Sequence, residues 1–329
     1  MTDLASTDTR TATILSEIDD GTARFHRNIM IAIAALLVVA PFVTYPVFAM
    51  KVLCFALFAL AFNLLLGYGG LLSFGHAAYF GMASYVTAYT AKHWGMTPEL
   101  AILLGAAVAG VLGTVFGALA IRRQGIYFAM ITLALAQMVF FFSLQAPRFT
   151  GGEDGIQAVP RGRLLGLVDL SDDRTLYWLV AAIFMAGLLL IYRIIHSPFG
   201  QVCKAIRDNE PRAISLGYRV NRYKLQVFVL SATLAGLAGA TKAIVFQFAS
   251  LTDVYWTMSG EVVLMTLVGG LGTVFGPIVG ALVVVSMQNY LAALGAWVTV
   301  VQGGVFVLCV LLFREGIVGL VAKAIRKPL

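Results

Sequence analysis

"GYGGLLSFGHAAYFG", residues 67–81, sets glycines, a serine and a histidine in the middle of an uncharged run that extends from residue 52 to 91. Such a run is about twice the ~20 residues that one helical crossing of a ~30 Å hydrocarbon core takes, so it must turn. Gly67, Gly69 and Gly70 mark the place where turning costs least, because a residue without Cβ enters backbone conformations that others avoid. The stretch reads as two membrane helices separated by a break.

The rest of the chain has the same character. Hydrophobic residues make up 60% of 329 positions and charged ones 12%, with a mean hydropathy of +0.89. This is the composition of a polytopic membrane protein, and helices are the elements that satisfy their own backbone groups in lipid. With histidine counted as neutral, the uncharged runs are 28–50, 52–91, 100–121, 125–147, 175–192, 225–241 and 262–313. The last is broken twice, at "VGGLGTVFGP" (268–277) and "AALGA" (292–296).

Lysine and arginine accumulate in short cytoplasmic loops. An all-α membrane bundle of about ten crossings, with glycine-broken helices, puts most of the 23 Lys and Arg on one side and both termini in the cytoplasm. Nine crossings strand the basic C-terminus outside. The expected division is a cytoplasmic tail over 1–28, a transmembrane domain over 29–315 and a basic cytoplasmic tail over 316–329. Within the domain lie an outer loop at 146–175 and a cytoplasmic loop at 194–223.

The first 28 residues carry no short apolar core followed by a small-residue cleavage site, which reads as a tail rather than a signal peptide. The net charge of +7 follows from the basic inner face. It points to anionic lipid headgroups or an acidic cytoplasmic partner and gives no sign of nucleic acid. Cys54, Cys203 and Cys309 are scattered, with neither metal-ligand nor disulfide-framework spacing, and read as small buried residues.

The cytoplasmic loop has structure of its own. Val202, Ala205 and Ile206 fall at helical spacing while Lys204 and Arg207 share another face, so 199–207 reads as a short amphipathic helix. Asp208, Asn209 or Glu210 can cap a second turn that has Pro211 near its start and Gly217 at its end. Two short helices at an angle make a rigid basic knob. Read from periodicity alone, such a knob either docks on a partner or lies on anionic headgroups.

The stretch "FGQVCKAIRDNEPRAISLGYRVNRYKLQVFVLSATLAGLAGA" (199–240) resembles the cytoplasmic loop and following helix of permease subunits in bacterial ABC importers for branched-chain amino acids. The likeness continues through "NLLLGYGGLLSFGHAAYFGMASY" (63–85), "GIYFAMITLALAQMVF" (125–140), "TGGEDGI" (150–156) and "LVGGLGTVFGPIVGALVV" (267–284). Gln201 and Pro211-Arg212 depart from the pattern.

The resemblance implies a coupling loop that docks on an ATPase, with Lys204, Arg207, Asn209, Glu210, Arg212 and Gly217 as its contact and hinge residues. It also implies a homologous second permease subunit, two ATP-binding subunits and an extracytoplasmic solute-binding protein, in the bacterial inner membrane. Leucine, isoleucine and valine are the implied cargo, with urea or short-chain amides as the alternative.

"GGLLSFGHAAYFG" (69–81) and "GGLGTVFGPIVGA" (269–281) share paired glycines, a leucine, a hydroxyl residue and a Phe-Gly step. Interrupted segments in two halves of a transporter point to its pathway. Gly69, Gly70, Ser73, His76, Gly269, Gly270 and Thr273 are therefore candidate pathway residues, their freed N–H groups suited to a zwitterionic head. The competing reading is close helix packing, as Gly113-xxx-Gly117 and Gly276-xxx-Gly280 suggest. His76 is either functional at membrane depth or bonded to a carbonyl freed by the neighbouring glycines. Glu261 reads as a cap at the mouth of the last run.

No GxxxxGK[ST] phosphate loop occurs in the sequence, so ATP is expected to be used by partner subunits and no cofactor is expected in this chain. No catalytic or metal-ligating set stands in the spans, and an enzyme is not expected. The competing class is an ion-coupled secondary transporter, which calls for ionisable residues deep in the spans; only His76 answers to that.

Overall fold

Pro46 decides where the first crossing ends. Proline suits the first turn of a helix and disfavours the helical conformation in the residue before it; Tyr45 is extended there, at φ −61° and ψ 123°. The run 28–50, expected as one span, is accordingly divided, with α1 at Phe25–Val43 and α2 starting at Pro46. Lys51, expected outside or near the outer boundary, lies in the second turn of α2, close to that helix's first end.

The computed structural model describes residues 25–164, 166, 168–292, 295, 297–312 and 316–325. They form an all-α bundle whose only strands are four two-residue pieces. Helix α2 (Pro46–Asn63) continues through a π-helical turn at Leu64–Tyr68, followed by α3 (His76–His93), α4 (Pro98–Ala120), α5 (Ile126–Gln145) and the short α6 (Pro147–Thr150). Then come α7 (Asp173–Ile195), α8 (Pro198–Asp208), α9 (Glu210–Ser215) and α10 (Val220–Phe246). The chain closes with α11 (Trp256–Gly269), α12 (Gly276–Tyr290), α13 (Trp297–Leu312) and α14 (Gly316–Ile325). Six of these, namely α1, α2 with its π turn, α4, α5, α7 and α10, are long and apolar enough to cross a membrane.

Helix α2 is apolar on every side, the pattern of a helix surrounded by others, and packs against α7, α10, α11 and α12. Phe58, Phe62, Tyr79, Phe80 and Phe228 are fully buried at the centre. Glycines let α10 approach its neighbours closely: a Cβ on Gly239 would overlap the Phe80 carbonyl, and one on Gly113 would strike Ala232. Gly269 and Gly280 do the same between α11 and α12.

The loops gather at two ends. At one end Gln124 donates to Glu210 at 2.9 Å, Asn63 bonds Gly272, His26 stacks edge-on against His196 and Phe275, and Gly316 sits against Gly270. At the other, Lys92 donates to the Gln157 carbonyl at 2.8 Å, and Phe48 lies 6.0 Å from Tyr290. The shorter helices α3, α11, α12 and α13 run between the same two ends as the six long ones.

The long loop 146–172 belongs to the second end and is held in place. Its β1 (Ile156–Gln157) pairs antiparallel with β4 (Phe248–Ala249), β2 (Arg163–Leu164) pairs with β3 (Val168–Asp169), and Arg161 meets Asp173 at 2.7 Å.

Both expected tails need correction where they are described. Residues 25–28 already form the first turn of α1, and 1–24 lie outside the described residues. Residues 316–325, expected within a tail, form α14, which packs on α11 and α12 with Val318 buried.

Candidate functional site

The two glycine breaks meet. Asn63, at the end of α2, accepts from the Gly272 N–H at 3.0 Å and donates to the Thr273 carbonyl at 2.8 Å. Gly70 has φ +69° and Gly270 φ +127°, conformations open to glycine and resisted by residues with a Cβ. Each break is held by its own hydroxyl: Ser73 Oγ accepts from the Gly75 N–H at 3.2 Å, and Thr273 Oγ1 accepts from the Gly276 N–H at 3.1 Å. Thr273 also donates to the Gly270 carbonyl at 2.7 Å. The hydroxyls thus fix the turns that start α3 and α12. Gly69 packs against the Leu65 carbonyl and Val227, and Gly269 against Gly276.

Helices α8 and α9 fold as the loop's spacing predicts. Ser197 caps α8 by accepting from Gly200 N–H at 3.3 Å, with Pro198 behind it. Asn209 caps α9 by accepting from Arg212 N–H at 3.1 Å. Gly217, at φ +85°, ends the turn. Ile206, Ala213 and Val220 form a small buried cluster under the knob. Glu210 braces it from two sides, pairing with Lys224 of α10 at 2.7 Å and accepting from Gln124.

Arg207 reaches from α8 into the first break. Its guanidinium donates to the Gly67 carbonyl and pairs with Asp208 at 2.8 Å. Its stem lies where a Cβ on Gly70 would stand, and its guanidinium Nη1 lies beside Gly272. Lys204 lies 5.4 Å from the centre of the Tyr68 ring. Burial, then the nearby Arg207, hold the Lys204 ammonium below the usual lysine range. Cys203 is buried, which pushes its thiol up to about 11.

Of the six residues expected on the docking surface, Lys204, Arg207, Asn209 and Glu210 make contacts within the chain, and Arg207 and Asn209 stay exposed while doing so. Arg212 and Gly217 are exposed. Beside them stand Ile214, Leu216 and Tyr218, which are 58%, 70% and 43% exposed. The sequence reading missed these three; the signal was apolar side chains on a helix too short to bury them. A cleft of about 510 Å³ opens next to them, lined by Phe199, Val202, Tyr218 and Arg222 among others.

His76 is buried at the start of α3, with its Nε2 2.8 Å from Ser231 Oγ, which donates to the Ala61 carbonyl at 2.5 Å. Its partner is thus a hydroxyl on α10 and not a carbonyl freed by the glycines. The rings of Phe62, Tyr79 and Phe228 surround it. Glu261 is not a cap: α11 begins at Trp256, and the Glu261 carboxylate accepts from Gln288 of α12 at 3.0 Å. A buried ion pair went unread in the sequence, Lys242 of α10 with Asp253 at 2.6 Å, because the two lie across a loop that spacing does not fold.

The described residues thus form an apolar helical bundle in which two glycine breaks converge beside a braced polar knob. Residues 44–310 match the family described as the branched-chain amino acid transport system / permease component. The chain belongs to this family and is a permease of the LivM type. It is 26% identical over 330 residues to the high-affinity branched-chain amino acid transport system permease protein LivM of Escherichia coli (strain K12), covering 92% of this chain and 77% of that protein.

It is also 25% identical over 238 residues to the probable branched-chain amino acid transport permease protein LivM of Methanocaldococcus jannaschii, covering 65% and 66%. With the ribose import permease protein RbsC of Bacillus subtilis (strain 168) it shares 29% identity over 239 residues, covering 67% and 70%. No solved structure matches. The chain is thus a membrane-embedded transport component of the kind that works with other transporter subunits.

Proposed function

We propose that this chain is the transmembrane permease subunit of an ATP-driven importer for branched-chain amino acids. Membership of the permease family supports the transport role. The observation that carries the mechanism is the bond from Arg207 on α8 to the Gly67 carbonyl at the first break. A push on the knob is delivered to a point where α2 is already interrupted, and Asn63 hands it on to the second break. The two breaks form the inner gate. In this reading Gly69, Gly70, Ser73, Gly269, Gly270 and Thr273 belong to the pathway as gate residues, and His76 fixes α3 to α10 behind them.

The proposed topology has ten crossings and both termini cytoplasmic in the bacterial inner membrane, with α3, α11, α12 and α13 joining the six long helices. It is supported by the sharing of two ends among all ten, and by the basic residues around α8 and α9. Of the two ATP-binding subunits, one docks on this chain's knob at Arg212, Ile214, Leu216 and Tyr218, and ATP is used there rather than in this chain. A homologous second permease subunit completes the pathway, and lipids surround it. The loop 146–172 faces an extracytoplasmic solute-binding protein through the exposed Glu153 and Asp154.

The test is uptake into proteoliposomes that contain this chain, a second permease subunit and the ATPase pair, with the binding protein added outside. Leucine is expected to accumulate only with ATP. Uptake by this chain alone, without ATPase subunits, overturns the reading, and accumulation of ribose, urea or a short amide in place of leucine overturns the cargo. Glu153→Lys with Asp154→Lys is expected to lower stimulation by the binding protein about tenfold; unchanged stimulation removes the loop from that interface.

A further inference from the structure

Two clefts adjoin where α8 meets the first turns of α10. The one of about 510 Å³ beside the knob is lined by Phe199, Arg219, Arg222, Tyr223 and Gln226 among others. A second, of about 490 Å³, shares Phe199 and Gln226 with it and continues along Leu225, Val229 and Leu230 of α10 and Thr114 of α4. This second cleft is an apolar groove: Thr114 Oγ1 is already engaged, donating to the Gly110 carbonyl of its own helix at 2.8 Å. Phe199 stacks on Tyr223 at 5.8 Å between ring centres, joining α8 to α10 beside both clefts.

The first cleft is cationic. The two carboxylates of the cytoplasmic loop are held by other residues, Asp208 by Arg207 at 2.8 Å and Glu210 by Lys224 at 2.7 Å. Arg219 and Arg222 are exposed, and neither pairs with a carboxylate among the described residues. Both also border a third cleft of about 420 Å³, where Arg122 from the end of α4 joins them. Guanidinium groups so placed suit an anion with several acceptor oxygens, above all a phosphate.

Depth says which phosphate. Helix α10 has 27 residues, about 40 Å at 1.5 Å per residue against a hydrocarbon core of ~30 Å, so its first turn stands at headgroup level. Leu230 follows about 12 Å further along the axis than Arg222, at the depth of lipid tails.

We propose that the two adjoining clefts hold one anionic phospholipid, with its phosphate between Arg219 and Arg222, its glycerol esters beside Gln226 and an acyl chain along Leu225, Val229 and Leu230. A soluble phosphate leaves the apolar groove unfilled, and a zwitterionic headgroup brings a cation up to the arginines. A lipid seated here touches α4, α8 and α10 together and so fixes the knob against the bundle. The site is independent of the cargo and of the importer reading.

The experiment is native mass spectrometry of the full chain in detergent, titrated with dioleoyl phosphatidylglycerol, with dioleoyl phosphatidylcholine, or with glycerol 3-phosphate as a head without tails. Wild type is expected to hold phosphatidylglycerol about tenfold or more tighter than phosphatidylcholine, and to retain no glycerol 3-phosphate. Arg219→Gln with Arg222→Gln abolishes that preference, Arg219→Lys with Arg222→Lys keeps most of it, and Thr114→Trp, which fills the groove, weakens phosphatidylglycerol binding without changing charge. Equal binding of the two lipids by wild type overturns the proposal whether or not any variant folds. A preference that survives the double glutamine variant overturns it as well, and glycerol 3-phosphate bound as tightly as phosphatidylglycerol, or binding unaltered by Thr114→Trp, overturns the lipid as occupant.

Discussion

In the importer reading, Arg207 is the residue that carries a movement of the knob to the first glycine break, since it bonds the Gly67 carbonyl. A planar guanidinium offers several donors in fixed directions, so it holds Asp208 and the Gly67 carbonyl at once. Arg207→Ala is expected to raise the ATP consumed per leucine imported by about tenfold, with Arg207→Lys in between; an unchanged ratio removes Arg207 from the coupling path. Cys203, four residues earlier on α8, makes a different prediction. Its thiol is pushed up to about 11, and the thiolate is the reactive form, so at pH 8 alkylation is slowed on the order of a hundredfold relative to a free cysteine. The rate rises as pH approaches 11, and labelling as fast as free cysteine at pH 8 contradicts the burial. The sequence placed Arg207 on the polar face of a short helix. It did not disclose the partner, since Gly67 is 140 residues away and no local spacing carries a contact of that range.

At the scale of elements, the breaks were legible and their fastening was not. Paired glycines in "GYGG" and "VGGLG" marked both interruptions, because positive φ is cheap only there. Asn63, which ties one break to the other, stands one residue after an unremarkable alanine–phenylalanine pair and drew no notice. Asn63→Ala removes the partner of two backbone groups, each worth about 1–3 kcal/mol when buried and unsatisfied. A lowered thermal midpoint is the expected result, and an unchanged one shows that the breaks do not depend on this tie. Likewise Asp253→Asn leaves Lys242 uncompensated beside a carboxylate site only 3% exposed. Breaking a buried pair this way costs about 3–5 kcal/mol, which thermal unfolding in detergent will register. Glu261 was misjudged as a cap because the uncharged run begins just after it, whereas the helix begins at Trp256, among polar residues that a hydropathy count excludes.

For the whole molecule, apolar run length was enough to read an all-α membrane bundle, and charge asymmetry supplies the sidedness that the proposed topology uses. Run length failed where elements are short: α11 and α12, at 14 and 15 residues, span only about 21–23 Å at 1.5 Å per residue. Their membership of the bundle rests on close packing through Gly269 and Gly280 instead. The account stands or falls on the side that the knob faces. Leu216→Cys in a cysteine-free background, at a position 70% exposed, can be offered a membrane-impermeant thiol reagent in right-side-out and in inverted vesicles. Labelling confined to inverted vesicles is the predicted result, and labelling confined to right-side-out vesicles contradicts a cytoplasmic lever driving the glycine breaks.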